Sequence, residues 1–328
     1  MKRLTNANAR DLQHAIALAG DARRGGSAVA FAGGGSDLLG MVKDRLITPD
    51  LVVRLATVRN LDQATASAGG LMVGGLMTLD AISRHDDIRR RYAVLAEAAE
   101  TVATPQIRNV GTLAGNVCQR PWCWYFRNGF PCYKAGGTQC FSFAGENQFH
   151  AIFGGGPSYI VHPSDTAPAL VALDAEFRIV GPGGDRRVPA AEFFALPRRN
   201  PERENVLAEN EVLASVRLAA PRPGTRSAYQ KVMDREAWTH AVVSAAVVLE
   251  MDQDVCRAAR IVLGGVAPIP WRVPEAEKVL AGQRITPELA AQAGKIAVDG
   301  ARPLSKNAHK VPMTVAIVER TILQLVKV

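Results

Sequence analysis

Apolar positions along this chain recur with two periods, and the switches between them mark out a series of short elements. Leu12, Ala15, Ile16 and Ala19 fall at helical spacing and predict a helix from Asp11 to Ala22. Ser27 to Ala32 then reads as a buried strand that runs straight into Gly33-Gly34-Gly35-Ser36-Asp37, after which Leu38 to Val42 begins a helix or a short turn. Leu51 to Leu55 and Leu71 to Gly75 are further strands. Thr78 is placed to cap a helix that starts at Leu79, and the alanine, leucine and glutamate content of Tyr92 to Val102 predicts a helix ending before Pro105. Ala167 to Leu173 is helical, and Phe177 to Val180 and Leu213 to Leu218 are strands. Pro221-Arg222-Pro223-Gly224 reads as a linker and places a domain boundary there. Strands at Ala228 to Val232, Ala241 to Met251 and Ala258 to Val266 follow, then helices at Pro274 to Leu280, Pro287 to Val298 and Met313 to Val326.

One stretch escapes both periods. From Cys118 to His150 the chain carries aromatics and glycines without a repeat, and so long an irregular loop in a compact domain calls for a functional reason or an internal cross-link. Four of the five cysteines, Cys118, Cys123, Cys132 and Cys140, lie in 23 residues of it, spaced C-x4-C-x8-C-x7-C. Four thiolates match the ligand count of a 4Fe-4S cluster, and the paired C-x2-C knuckles of structural zinc sites are absent. Zinc, and reduced or disulfide-bonded structural cysteines, are the competing readings. Trp122, Trp124, Tyr125, Phe126, Phe130 and Phe141 would shield such a centre from water, or simply pin the loop down. Cys256, beside a strand pattern, reads as a small buried residue.

Composition sharpens this little. In 328 residues, 48% hydrophobic and 21% charged, there is room for two or three domains and a sizeable core of a soluble protein. The run Ala241 to Leu249 is too short to cross a bilayer, and Asp11, Gln13 and His14 interrupt the apolar core that an export signal would need. A cytoplasmic location is expected, or a periplasmic one by co-export with a signal-bearing partner. The net charge of +8 is spread, with only Arg89, Arg90 and Arg91 as a tight run, which argues against nucleic acid and for a solvated face or an acidic partner.

Two loops carry candidate ligand chemistry. The glycine triplet with Ser36 and Asp37 follows a buried strand, where glycine lets backbone N–H groups approach an anion. The spacing is not that of a G-x-G-x-x-G fingerprint. The second loop, Gly111 to Asn116, adds the Thr112 and Asn116 side chains, and together the two point to a phosphate-bearing ligand. There is no G-x-S-x-G elbow and no H-E-x-x-H. The six histidines are scattered, with His150 and His162 flanking Gly154-Gly155-Gly156 as loop residues or secondary ligands.

Four segments in order, Phe31 to Leu39, Pro105 to Asn116, His162 to Asp165 and Tyr229 to Arg235, resemble the FAD-binding medium subunits of molybdenum hydroxylases, the xanthine dehydrogenase and carbon monoxide dehydrogenase family. The cysteine segment is similar to the subgroup with an additional 4Fe-4S cluster, which includes aldehyde oxidoreductases and 4-hydroxybenzoyl-CoA reductases, the aldehyde oxidoreductase flavoprotein being the nearer likeness.

The resemblance implies an α+β fold: a vanillyl-alcohol-oxidase-type FAD domain of two subdomains over residues 1–221, with a cluster-bearing insert at about 117–153, and a smaller α+β domain over 225–328. It implies that Phe31, Ala32, Gly33, Gly34, Gly35, Ser36, Asp37 and Leu38, with Thr112, Leu113, Ala114, Gly115 and Asn116, hold the FAD pyrophosphate. Val102 is implied at the adenine, Asp165 at the sugar or ribityl portion, and Leu213 and Lys231 near the isoalloxazine. Ala114 departs from the commoner T-I-G-G-N, and Trp238 stands where a smaller or acidic residue is usual. The expected function is electron transfer within an aldehyde-oxidising complex, with a large molybdopterin subunit, a small 2Fe-2S subunit and an external acceptor as partners, and no acid, base or nucleophile in this chain. A reductase of aromatic acyl-CoA esters is the rival within the family, and a zinc-stabilised binding module the rival outside it.

Overall fold

Three sheets organise the chain in a computed structural model that describes residues 3–67, 69–237 and 239–326. The first is parallel, in the order β1-β3-β2, from β1 (Thr5–Asn8), β2 (Val29–Ala32) and β3 (Leu51–Arg54). Helix α1 (Leu12–Arg24) crosses from β1 to β2. Its cap is Asp11, whose carboxylate accepts from the His14 N–H, and it buries Ala15, Ile16 and Ala19, the stripe that the spacing predicts. Helix α2 (Leu38–Lys43) follows the glycine loop.

The second sheet is antiparallel, in the order β4-β5-β8-β6-β7, built from β4 (Ala64–Ser67), β5 (Gly70–Gly74), β6 (Glu176–Gly181), β7 (Gly184–Pro189) and β8 (Val212–Ala219). Between β5 and β6 come helices α3 (Leu79–Arg84, capped by the Thr78 hydroxyl), α4 (Asp86–Arg91), α5 (Ala93–Glu100), α6 (Pro105–Arg108), α7 (Leu113–Val117), α8 (Trp124–Arg127) and α9 (Thr166–Ala172). Helices α5 and α9 are apolar almost all round and fill the main core with Phe177, Phe193 of α10 (Ala190–Phe193) and Val216.

The third sheet, after the proline-rich linker, is an antiparallel meander of long strands, β9 (Thr225–Val232), β10 (Val243–Asp252) and β11 (Val255–Gly264), with short edges β12 (Trp271–Arg272) and β13 (Gln283–Arg284). Helices α11 (Pro274–Leu280), α12 (Pro287–Ile296) and α13 (Lys310–Val326) cover one face. The other face of this sheet enters the main core through Tyr229, Ala246, Val248 and Val262, so the two domains share apolar packing.

The 118–150 stretch contains α8 and one 3₁₀ turn, Tyr133–Ala135, and is otherwise irregular. Protein contacts fasten it without any metal. Lys134 is buried, with its ammonium 3.0 Å from the Glu204 carboxylate, and Arg120 pairs with the same carboxylate. Asn147 accepts from the Lys306 N–H, and Asn307 donates to the carbonyls of His150 and Ala151. The segment thereby rejoins the C-terminal domain, where Ile152 and Phe153 enter its core.

Candidate functional site

The two glycine-bearing loops meet backbone to backbone. A Cβ on Gly34 would lie 1.7 Å from the Val110 carbonyl oxygen, and one on Gly33 would lie 2.8 Å from the Thr112 hydroxyl, so only glycine lets the loops approach this closely. Thr112 caps α7, its hydroxyl accepting from the Gly115 N–H at 3.2 Å. At the C-terminal end of α7, the Asn116 amide oxygen accepts from the hydroxyls of Ser164 and Thr166, both at 2.6 Å. That fixes the amide and leaves its nitrogen as the end available to a ligand.

Beside these loops opens a cleft of about 310 Å³. Of the residues expected at a cofactor, Ser36, Asp37, Val102, Asn116 and Asp165 line it. Phe31 and Ala32 end β2, Gly33 to Gly35 form the turn, Leu38 opens α2, and Leu113 to Gly115 form the first turn of α7 behind the wall. Asp165 is 4% exposed; one carboxylate oxygen accepts from the Tyr229 hydroxyl at 2.8 Å and the other from the Lys231 ammonium at 2.7 Å. Lys231 does not line the cleft. Its side chain is fully buried, and its remaining hydrogens go to the carbonyls of Thr101 and Thr239, both 3.1 Å away. Leu213 is buried in β8 and lies off the cleft lining. Trp238 lies outside the described residues.

Eight other lining residues, Ala103, Ile107, Gln119, Trp122, Pro163, Arg235, Thr239 and His240, were not assigned to the cofactor from sequence, and all but Ile107 sit in irregular segments where no period marks a face. His240 is drawn below the ordinary histidine range by burial, which outweighs the nearby Asp165 carboxylate, and so is neutral near pH 7. Trp122 forms another part of the wall, with its ring centroid 5.4 Å from that of His240. A second cavity, lined by Cys123, Trp124 and His150, shares Trp122, Thr239 and His240 with the cleft.

Cys118, Cys123, Cys132 and Cys140 are all free thiols, and the His150 ring nitrogen lies 3.3 Å from the Cys123 sulfur. Cys140 is 3.1 Å from the Ser142 hydroxyl and accepts from the Tyr159 N–H at 3.5 Å. Cys118 packs at the edge of the main core, where burial pushes its thiol up to about 12. Burial likewise pushes Cys123 up to about 11 and draws His150 down to about 4. Among the described residues no three His, Cys, Asp or Glu side chains are placed to share a single metal ion, so a mononuclear zinc site does not fit. Cys256 is buried in the C-terminal core, as its strand context predicts.

The candidate site is thus a cleft beside two interlocked glycine-bearing loops, in a chain that ends in an antiparallel sheet covered by helices. The chain matches the family model for the FAD binding domain in molybdopterin dehydrogenase over residues 3–221, and that for the CO dehydrogenase flavoprotein C-terminal domain over residues 227–322. It therefore belongs to the FAD-binding medium subunits of the molybdenum hydroxylase family, carbon monoxide dehydrogenase-like oxidoreductase subunits. It is 36% identical over 255 residues to the aldehyde oxidoreductase FAD-binding subunit PaoB of Escherichia coli K12, covering 76% of this chain and 78% of that one. It is 27% identical to the carbon monoxide dehydrogenase medium chain of Hydrogenophaga pseudoflava, over 87% of this chain and 82% of the relative. The solved carbon monoxide dehydrogenase of Hydrogenophaga pseudoflava superposes with a TM-score of 0.77 over 98% of this chain and 97% of that one, at 25% identity. Among the described residues no helix is long and apolar enough to cross a membrane.

Proposed function

We propose that this chain is the FAD-carrying electron-transfer subunit of a heterotrimeric aldehyde oxidoreductase, taking electrons from a small 2Fe-2S subunit that is served by a large molybdopterin subunit and giving them to an external acceptor. The similarity to PaoB supports the aldehyde class. The observation that carries the flavin is the pair of glycine loops, packed so tightly that a single added Cβ would overlap backbone, beside a cleft with Ser36, Asn116 and Asp165 in its walls.

Bound FAD supplies an acceptor that takes electrons singly and releases them singly or in pairs. The chain's own residues bind and orient it. Gly33 to Ser36 and Thr112 to Asn116 offer backbone N–H groups and hydroxyls to the pyrophosphate, which glycine brings within reach. Val102 gives an apolar face to the adenine. Asp165, oriented by the Lys231 ammonium and the Tyr229 hydroxyl, would accept from sugar or ribityl hydroxyls. Leu213 and Lys231 would serve the isoalloxazine from outside the cleft lining, Lys231 through its ion pair with Asp165. Neutral His240 and the Trp122 face keep water from that wall.

Cys123, Cys132 and Cys140 suit an iron-sulfur centre better than a single ion, because a multi-iron cluster holds its thiolates farther apart. For a 4Fe-4S cluster the fourth expected ligand is Cys118, which packs at the edge of the main core. The test is the visible spectrum of anaerobically purified chain with iron and acid-labile sulfide analysis, followed by assay of the complex on aldehydes against aromatic acyl-CoA esters. Flavin bands with a brown shoulder, and turnover of aldehydes, are expected. A colourless protein, or turnover of acyl-CoA alone, overturns the reading.

A further inference from the structure

Helix α8 joins the cysteine group to the cleft. Cys123 is its N-cap residue, and its sulfur lies 3.3 Å from the His150 ring nitrogen in the cysteine segment. Arg127 closes the same turn, its N–H donating to the Cys123 carbonyl at 2.9 Å. The Arg127 side chain is 7% exposed and reaches back 90 positions to the glycine loop, donating to one Asp37 carboxylate oxygen at 2.7 Å. The other oxygen accepts from the Arg120 N–H at 3.1 Å. Both oxygens of the one carboxylate in the glycine loop are thus held by the cysteine insert. The Arg127 guanidinium also donates to the carbonyls of Pro121 and Arg120, and lies 4.4 Å from the centroid of Trp122, which lines the cleft.

A single helical turn is unstable alone, since nucleation costs more than one hydrogen bond returns. The order of α8 therefore depends on what grips its two ends, and whatever fixes one end lowers the ordering cost at the other. An unpaired Asp37 carboxylate would face a pyrophosphate with like charge.

We propose that Arg127 is a positioning residue for the flavin cleft: by neutralising Asp37 and holding Trp122, it transmits the state of the cysteine pocket to flavin binding. The inference rests on the reading of the cleft as an FAD site and of the thiols as a metal site. No contact between Arg127 and the flavin is required.

The test is FAD titration of the full chain, stripped of flavin, followed by flavin fluorescence and by the vibronic structure of its blue absorption band. Each protein is measured as reconstituted anaerobically with ferrous iron and sulfide, and again after chelation. Stripping iron from wild type is expected to weaken FAD binding about tenfold, within the usual range of coupling between two sites. Arg127→Gln is expected to show that weak affinity with or without iron, a loosened band shape, and a loss that does not add to that of Asp37→Asn. An Arg127→Gln protein that binds FAD within about twofold of wild type, or that keeps the iron dependence, overturns the proposal. If Arg127→Gln fails to fold, the wild-type iron dependence decides alone, and its absence overturns the proposal. Failure of wild type to bind FAD at all sinks instead the reading of the cleft.

Discussion

The flavin cleft and the cysteine pocket share Trp122, Thr239 and His240, yet they are built on opposite terms. The cleft is complete in protein alone: its loops interlock through glycine backbone, its Asn116 is oriented by two hydroxyls, and its one buried carboxylate has both oxygens paired. The pocket is held at its margins but not at its centre. Burial raises the Cys123 thiol in its wall, and its segment carries Trp122, Trp124, Phe130, Phe143 and Phe149, most of the large apolar side chains exposed among the described residues. A dinucleotide cradle needs backbone shape, which folding can set in advance. A metal centre needs a charge state that only the metal stabilises.

If the cleft is pre-built, its variants should cost folding stability even without flavin. Lys231→Met leaves Asp165 as an uncompensated buried charge and is expected to cost about 4 kcal/mol in denaturant unfolding of the flavin-free chain. A loss under about 1 kcal/mol would be that of a surface pair and would break the comparison. Gly34→Ala must push Val110 aside and is expected to cost about 3 kcal/mol together with flavin content. Gly40→Ala, where an added Cβ meets nothing within 4 Å, is the control and should be neutral or slightly stabilising.

The join between the regions has its own pH signature. The Lys310 amine is buried between the carbonyls of Phe149, at the end of the insert, and Gly265, at 2.8 and 2.6 Å. Burial draws it from 10.5 to about 7, against the opposing pull of Asp234. A neutral amine has two hydrogens, which these two carbonyls consume. Between pH 7 and 9 the unfolded chain binds the proton that the folded chain has released, so stability should rise with pH, at no more than about 1.4 kcal/mol per unit. Above pH 9 the thiols that burial raises, Cys118, Cys123 and Cys256, oppose that rise, because they ionise in the unfolded chain first. Thermal unfolding from pH 6 to 9 checks the sign, and Lys310→Met should flatten the rise.

The strong periods were legible. The stripe of α1, the cap Thr78, the alanine-rich α5 and the three long strands of the last sheet all lie where the pattern puts them, with ends shifted by a few residues. Strands β1, β4 and β7 were not legible, because their residues are mostly exposed or half-buried and carry no alternating apolar signal. The glycine loops showed in sequence as ligand chemistry, but their mutual packing did not, since it pairs residues about 76 positions apart. Spacing alone did not show that Cys118 follows directly on α7 and packs with the core.

The smallest expected effect is the most telling. Cys132 is 6% exposed, but its neighbours are fastened through Lys134 to Glu204 and not through the thiol. Cys132→Ser should therefore cost the metal-free chain about 1 kcal/mol or less, the ordinary scale for one side-chain change away from a packed centre. The same change should remove iron from protein loaded anaerobically, and in wild type that loading should strengthen with pH, since the metal must displace protons from its thiols, that of Cys123 raised by burial. Iron content after loading at pH 6.5 and at 8.5, set beside flavin-free unfolding of the same variant, measures both halves. If Cys132→Ser destabilises the metal-free chain as much as Lys231→Met does, then the pocket is as pre-built as the cleft, and the contrast between shape and charge state fails.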